Sequence, residues 1–146
     1  MNATMKKFGY PTALVADYTN WVVLLRPQQV TLGALVLVCK EAVTSFGALS
    51  PAAGAELVAV AKDAEHALGA AFAHDKINYL MLMMVDPDVH FHVLPRYASA
   101  RQCGAQAFSD VAWPGPPRLD QINVTDAATN AGILADLISH WPARSR

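Results

Sequence analysis

Charge is scarce in this sequence and balanced in sign: 11 Lys and Arg stand against 12 Asp and Glu, for a net charge of -1, and charged residues make up only 16% of the chain. That balance offers no field for holding a nucleic-acid polymer or an anionic membrane by bulk electrostatics, so any nucleotide has to be recognised locally. Long apolar runs are missing too. The longest, "GALVLVC" at Gly33 to Cys39 and "YLMLMMV" at Tyr79 to Val85, fall far short of the roughly 18 residues that cross a bilayer, and no membrane partner is expected. The two cysteines, Cys39 and Cys103, match neither a disulfide framework nor a CxxC metal spacing, which makes a reducing, cytoplasmic setting the simpler expectation. No apolar block with a cleavage site follows "MNATMKKFGYP", so no secretory signal is expected, and no repeat or low-complexity segment is visible.

What the sequence does hold is apolar residues, 53% of 146, enough for one domain over residues 1–146 with a sizeable core. "NWVVLLRP" from Asn20 reads as a strand that stops at Pro27, and "QQVTL" leads through Gly33 into a second strand, "ALVLVCK", so a hairpin is the economical connection. Ser50 and Pro51 form a helix start signal. Leu57, Val60, Ala61, Ala64, Leu68, Ala71 and Phe72 then recur at helical spacing, with Glu56, Lys62, Asp63 and Glu65 on other faces, predicting a helix of about five or six turns. "KINYLMLMMV" resumes a strand pattern, and "DVHFHVLPRY" gives another, with Asp86 and Pro87 as turn residues between them. After Tyr97 the pattern loosens through the proline-stiffened "WPGPP" at Trp113 to Pro117. A final helix is predicted from the stripe Ile133, Leu134, Leu137, Ile138 and Trp141, capped by Thr125 or Asp126 and ended by Pro142.

The chemistry lies in "DPDVHFHVLPRY", Asp86 to Tyr97. On a strand, Asp88, His90 and His92 would share one face while Val89, Phe91 and Val93 take the other, so one face packs on the core and the other carries polar groups. Histidine is a nucleophile and acid-base group near neutral pH, and a neighbour can fix which ring nitrogen carries the proton. Asp88 is a candidate for that, or for stabilising an imidazolium.

"HFHVLPR" after an apolar strand resembles the histidine-triad (HIT) family, as do the order strand, strand, helix, strand, strand, the "GALVLVCK" strand and the "SFGALSPAAGAELVAVAK" loop and helix. The resemblance covers about Tyr18 to Tyr97, the HIT-like core, and leaves about 98–146 as a C-terminal extension. It implies an α+β fold, an antiparallel sheet of about five strands with one long helix packed on it and a C-terminal helical extension. It also implies an enzyme in which His90 attacks the α-phosphorus of a nucleotide or nucleotide conjugate, forming a nucleotidyl-histidine intermediate that water resolves. His92 is implied as a phosphate-contacting group, and Asn78 lies near where the family has an amide facing the phosphates. No cofactor or metal is implied, and a homodimer joined edge to edge is. The sequence departs from the family pattern in three places: Asp88 stands where the first histidine falls, Gly33-Ala34 replaces a glycine-histidine pair, and "MLMMVDP" replaces the phosphate-contacting loop.

Other readings of the same residues stay open. His90 and His92 could be histidines satisfied by backbone groups, and Asp88 with both could be a metal site, although alternate residues on one strand lie roughly 6.6 Å apart and converge poorly. Trp21 could stack on a base or fill the core. Arg96 could contact substrate or pair with an acid. His66 and His74, placed on the long helix, and His140 read as solvated; Met81, Met83 and Met84 read as core or interface filling. The rival from another class is a HIT-fold protein that binds a nucleotide without turning it over.

Overall fold

The computed structural model describes residues 1–142. A short helix α1 (Ala3–Lys7) is followed by three strands, β1 (Leu14–Asp17), β2 (Trp21–Leu25) and β3 (Leu35–Cys39). The long helix α2 (Pro51–Phe72), β4 (Lys76–Leu80) and β5 (His90–Arg96) come next, then a hairpin of β6 (Arg101–Cys103) and β7 (Gln106–Phe108), and finally α3 (Ala127–His140). The first five strands make one antiparallel sheet in the order β1-β2-β3-β5-β4. This is the expected α+β architecture. Ser50 caps α2 by accepting from Ala53 N, and Asp126 caps α3 by accepting from Thr129 N.

Every residue of β2 and β3 is buried, because the sheet is covered on both faces, which is why these strands read as unbroken apolar runs rather than alternating ones. Toward α2 point Trp21, Val23, Leu25, Leu35, Leu37, Cys39 and Val93, packed on Ala53, Val60, Ala64, Leu68 and Phe72. The opposite face splits into regions: Val22, Leu24, Val36 and Val38 lie under Met5 and Phe8 at the end of α1, and Ala34 and Leu94 pack with Val30, Leu80 and Leu119. His90 and His92 lie on this second face, between the two patches.

The β2–β3 connection is held from within. Gln29, fully buried, accepts from Gly33 N and donates to the Arg26 carbonyl, and it adds a second bond to the Ala34 carbonyl, which also accepts from Arg26 N, so the backbone groups of the turn are paired from inside it. Gly33 has a φ of +84°, and a Cβ there would sit 2.8 Å from Leu68 Cδ2, so the loop lies flat on α2 only because this residue is glycine.

Four expectations need correction. "KINYLMLMMV" is a strand only to Leu80; the chain then leaves the sheet, with Met83 at a φ of 54°, and a nine-residue connection replaces the expected turn of Asp86 and Pro87. Asp88 therefore lies in a connection and not on the strand. Asp63, expected on an outward face of the long helix, is buried and accepts from the Tyr18 hydroxyl, which in turn accepts from Trp141 Nε1; a buried carboxylate persists only where such bonds offset its lost hydration. His74 follows the helix, which ends at Phe72. The sequence reading also passed over α1, β1 and the β6–β7 hairpin.

Candidate active site

The His90 ring is oriented by its own strand entry. Its Nδ1 lies 2.6 Å from the Asp88 carbonyl oxygen. A carbonyl only accepts, so Nδ1 carries the proton and Nε2 of the neutral ring keeps a lone pair. The Asp88 carboxylate faces elsewhere: its Oδ2 accepts from Thr4 N at 3.2 Å and Thr4 Oγ1 at 2.9 Å, close to the start of α1. Asp88 thus fixes His90 through its backbone, while its side chain ties the connection to the N-terminal helix. The shared face expected for Asp88, His90 and His92 holds only for the two histidines. Among the described residues, no three His, Cys, Asp or Glu side chains are grouped to hold a metal ion.

The two imidazoles stand edge to face, their centroids 5.3 Å apart, and Phe8 packs on both, at 6.2 Å from His90 and 5.7 Å from His92. Both rings are almost covered, at 2% and 6% exposure, yet both line a cleft of about 210 Å3. The rest of its wall comes from Lys7, Phe8, Arg26, Gln28 and the residues Leu82 to Asp86. Lys7 and Asp86 form an ion pair at 2.9 Å, joining α1 to the connection beside the cleft. Inside, His92 Nδ1 and Arg26 Nε are buried without a partner among the described residues. Sequence reading missed Arg26, Lys7 and Phe8. The Asn2 cap was a signal for α1, but five residues with no apolar periodicity give little to detect.

Three predicted site residues lie away from this cleft. Arg96 is buried and holds the Asp110 carboxylate with two bonds, Nε to Oδ2 at 2.6 Å and Nη2 to Oδ1 at 3.1 Å, while Nη1 donates to Asn78 Oδ1 and Nη2 to the Gly115 carbonyl. Asn78 pairs with Leu94 across the sheet, so it and Arg96 lie roughly 13 and 20 Å along β5 from His90 at about 3.3 Å per residue. Trp21 is fully buried and donates to the Ala53 carbonyl, which leaves no ring face for a base. His66 and His140 are exposed, as expected, but Met84 is 86% exposed and fills no core within the chain.

A HIT-domain family model matches residues 11–99, more than half of the chain. The chain belongs to the histidine-triad (HIT) family. Solved structures agree on the fold. A HIT protein from Sinorhizobium meliloti superposes with a TM-score of 0.75 at 18% identity, covering 96% of this chain and 95% of that one. One from Bradyrhizobium japonicum gives 0.74 at 19%, covering 97% and 96%. A structure described as a hypothetical histidine triad nucleotide-binding protein from Sulfolobus tokodaii gives 0.67 at 16%, covering 88% and 82%. No curated protein matches the chain at a significant level.

The electrostatics of this HIT site set a pH dependence. Burial, then the nearby Arg26 and His90, push His92 down from the ordinary 6.5 to about 4, against a smaller upward pull from Asp86. The unfolded chain takes up this proton near pH 6.5 and the folded chain only near pH 4, so the neutral ring's contribution is complete above pH 6.5 and is lost as pH falls through that window. In urea unfolding, the stability lost between pH 7 and pH 4.5 is expected to be smaller in His92→Gln by about 2 kcal/mol, a figure already reduced for solvent screening. Equal losses in both proteins would mean that His92 titrates normally.

Proposed function

We propose that this HIT protein hydrolyses or transfers a nucleotidyl group, with His90 as the nucleophile. The observation that carries the reading is the 2.6 Å contact between His90 Nδ1 and the Asp88 carbonyl oxygen, which leaves the Nε2 lone pair to a ring that lines a cleft. In the first step Nε2 forms a bond to the α-phosphorus, and the bond from phosphorus to the leaving oxygen or nitrogen breaks with its electron pair, taking up a proton from solvent. Water then attacks phosphorus and gives up a proton to solvent, the N–P bond breaks with its electron pair, and His90 regains its lone pair. His92, kept neutral, serves as a hydrogen-bond partner to a phosphoryl oxygen. The cleft is smaller than the 300 to 1,000 Å3 typical of whole-ligand sites, so it suits the phosphoryl group, with the nucleoside outside against the exposed Leu82, Met84 and Val85. The Sulfolobus tokodaii structure, described as a hypothetical histidine triad nucleotide-binding protein, is in line with that substrate class.

The test is a panel of dinucleoside polyphosphates, aminoacyl nucleotides and phosphoramidates. Quenching at high pH, where a phosphorus–nitrogen bond to histidine survives, should yield the peptide bearing His90 with one nucleotidyl group added. Turnover without that adduct in wild type, or an adduct on another residue, removes His90 from the role. A second reading, a nucleotide-binding protein without turnover, is favoured by one observation: the residue two before His90 is an aspartate whose carboxylate is engaged by Thr4. Nucleoside monophosphate binding with no turnover across the panel would establish it.

The same proposal treats residues 1–146 as one HIT-like domain, with a core of about 18–97 and an extension of about 98–146, of which 143–146 lie outside the described residues. No helix among the described residues is long and apolar enough to cross a membrane, and the proposed setting is the cytoplasm. Two copies are proposed to join sheets at β4, which among the described residues pairs with β5 alone and carries the exposed Tyr79 beside a hollow of about 810 Å3 under Trp113 to Pro117. Sedimentation at micromolar concentration should give twice the 15.7 kDa chain mass; a monomer would rule the pairing out.

A further inference from the structure

Four of the chain's arginines lie within the described residues. Arg96, Arg101 and Arg118 each hold a carboxylate, and Arg26 holds none. Among the described residues its guanidinium makes one hydrogen bond, from Nη1 to the Gln28 carbonyl, and its Nε is buried without a partner. Removing a guanidinium from water without an anion is costly, and the cost is recovered if an anion is present in the working state. The residue is also held in place. It directly follows β2, its N–H donates to the Ala34 carbonyl at 2.9 Å, and its own carbonyl accepts from Gln29 Nε2 at 2.8 Å. Its side chain lines the same cleft as His90 and His92, and the other cation there, Lys7, is already engaged by Asp86.

We propose that Arg26 is the anion-holding residue of this cleft, gripping the non-bridging oxygens of the phosphoryl group presented to His90. A guanidinium matches two phosphoryl oxygens at once, which fixes their direction as well as their charge. The partnerless His92 Nδ1 lines the same small space, so a phosphoryl group there meets one polar group just past the end of β2 and another on β5, the strand that also carries His90. The same positive charge contributes to keeping His92 neutral. The proposal rests on the nucleotidyl-transfer reading for its substrate, though not for its anion.

The experiment is calorimetry of wild type, Arg26→Lys and Arg26→Met with AMP and, separately, with inorganic pyrophosphate, alongside turnover of the panel. Thermal unfolding confirms that each variant is folded, and the His92 imidazole is titrated by NMR. Arg26→Met is expected to bind both probes at least tenfold more weakly, to lower kcat/KM on the order of 100-fold, and to raise the His92 titration midpoint. Arg26→Lys should recover part of the binding. If Arg26→Met binds both probes as wild type does while His90→Ala still abolishes turnover, Arg26 is not the anion holder and the nucleophile assignment stands. If wild type turns over nothing but binds pyrophosphate in an Arg26-dependent way, the anion site stands and the enzymatic reading falls. Wild type that binds neither probe overturns both.

Discussion

A His90→Ala variant should lose nucleotidyl turnover by a factor on the order of 10^4 or more, because removing a nucleophile deletes the covalent route and leaves only binding and charge stabilisation to act on water. The informative contrast is Asp88→Asn. If the carboxylate oriented the imidazole from the side, as an acid does in other nucleophilic sites, an amide there would favour the wrong tautomer and cost a comparable factor. Here the acceptor is the backbone carbonyl of residue 88, which every residue type supplies, and the carboxylate is bonded to Thr4. Asp88→Asn keeps an oxygen for Thr4 and should change kcat by less than about tenfold. Steady-state kinetics on the best substrate of the panel distinguish the two arrangements; a collapse in Asp88→Asn matching that in His90→Ala would mean that the carboxylate acts on the ring.

Asp110→Ala is expected to destabilise the fold by about 3 to 5 kcal/mol, the usual result of leaving one member of a buried ion pair alone. Arg96 and Asp110 have only 5% and 3% of their side-chain surface exposed. Besides the two bonds from Arg96, Asp110 accepts from Tyr97 N, and Arg96 reaches on to Asn78 and Gly115. The cluster thus fastens the Trp113 to Pro117 segment to β4 and β5. Urea denaturation gives the size, and the sign of a second variant gives the cause. Replacing both members, Arg96→Met with Asp110→Leu, should cost less than Asp110→Ala alone, since no isolated charge then remains buried. A double variant worse than the single one would show that packing, not charge, dominates.

Most of the scaffold was legible because its signals are local. Ser50-Pro51 set the start of α2 and the apolar stripe its face, although His74 was counted on the helix that ends at Phe72; Thr125 or Asp126 bracketed the start of α3, and two unbroken apolar runs marked the central strands. The site was legible in its two histidines and not in their surroundings. The Met81 to Val85 run is as apolar as any strand, so nothing in its composition separates a strand from a wall of the cleft; the left-handed turn at Met83 and the ion pair from Asp86 to Lys7 that place it are long-range effects. Asp88 was misread because period-two alternation was extended across a boundary where the strand had not yet begun. Arg96 was left open between substrate contact and pairing with an acid; strand geometry carries it to the far end of the sheet, and the acid that pairs with it, Asp110, lies 14 residues on, where no local pattern points to it. Arg26 stood at a strand end like many solvated arginines, and only the fold shows that it holds no carboxylate among the described residues.

The bonds at the start of α1 have a practical side. Asn2 donates to the Cys39 carbonyl and accepts from Met5 N, and Thr4 grips the Asp88 carboxylate, so the first few residues of the chain clamp the peptide that dictates which nitrogen of the key histidine is free. Cleavage of the chain beyond Thr4 would remove these bonds and with them the anchor of the peptide that faces the His90 ring. Preparations of this protein are best compared with that end identical in every sample.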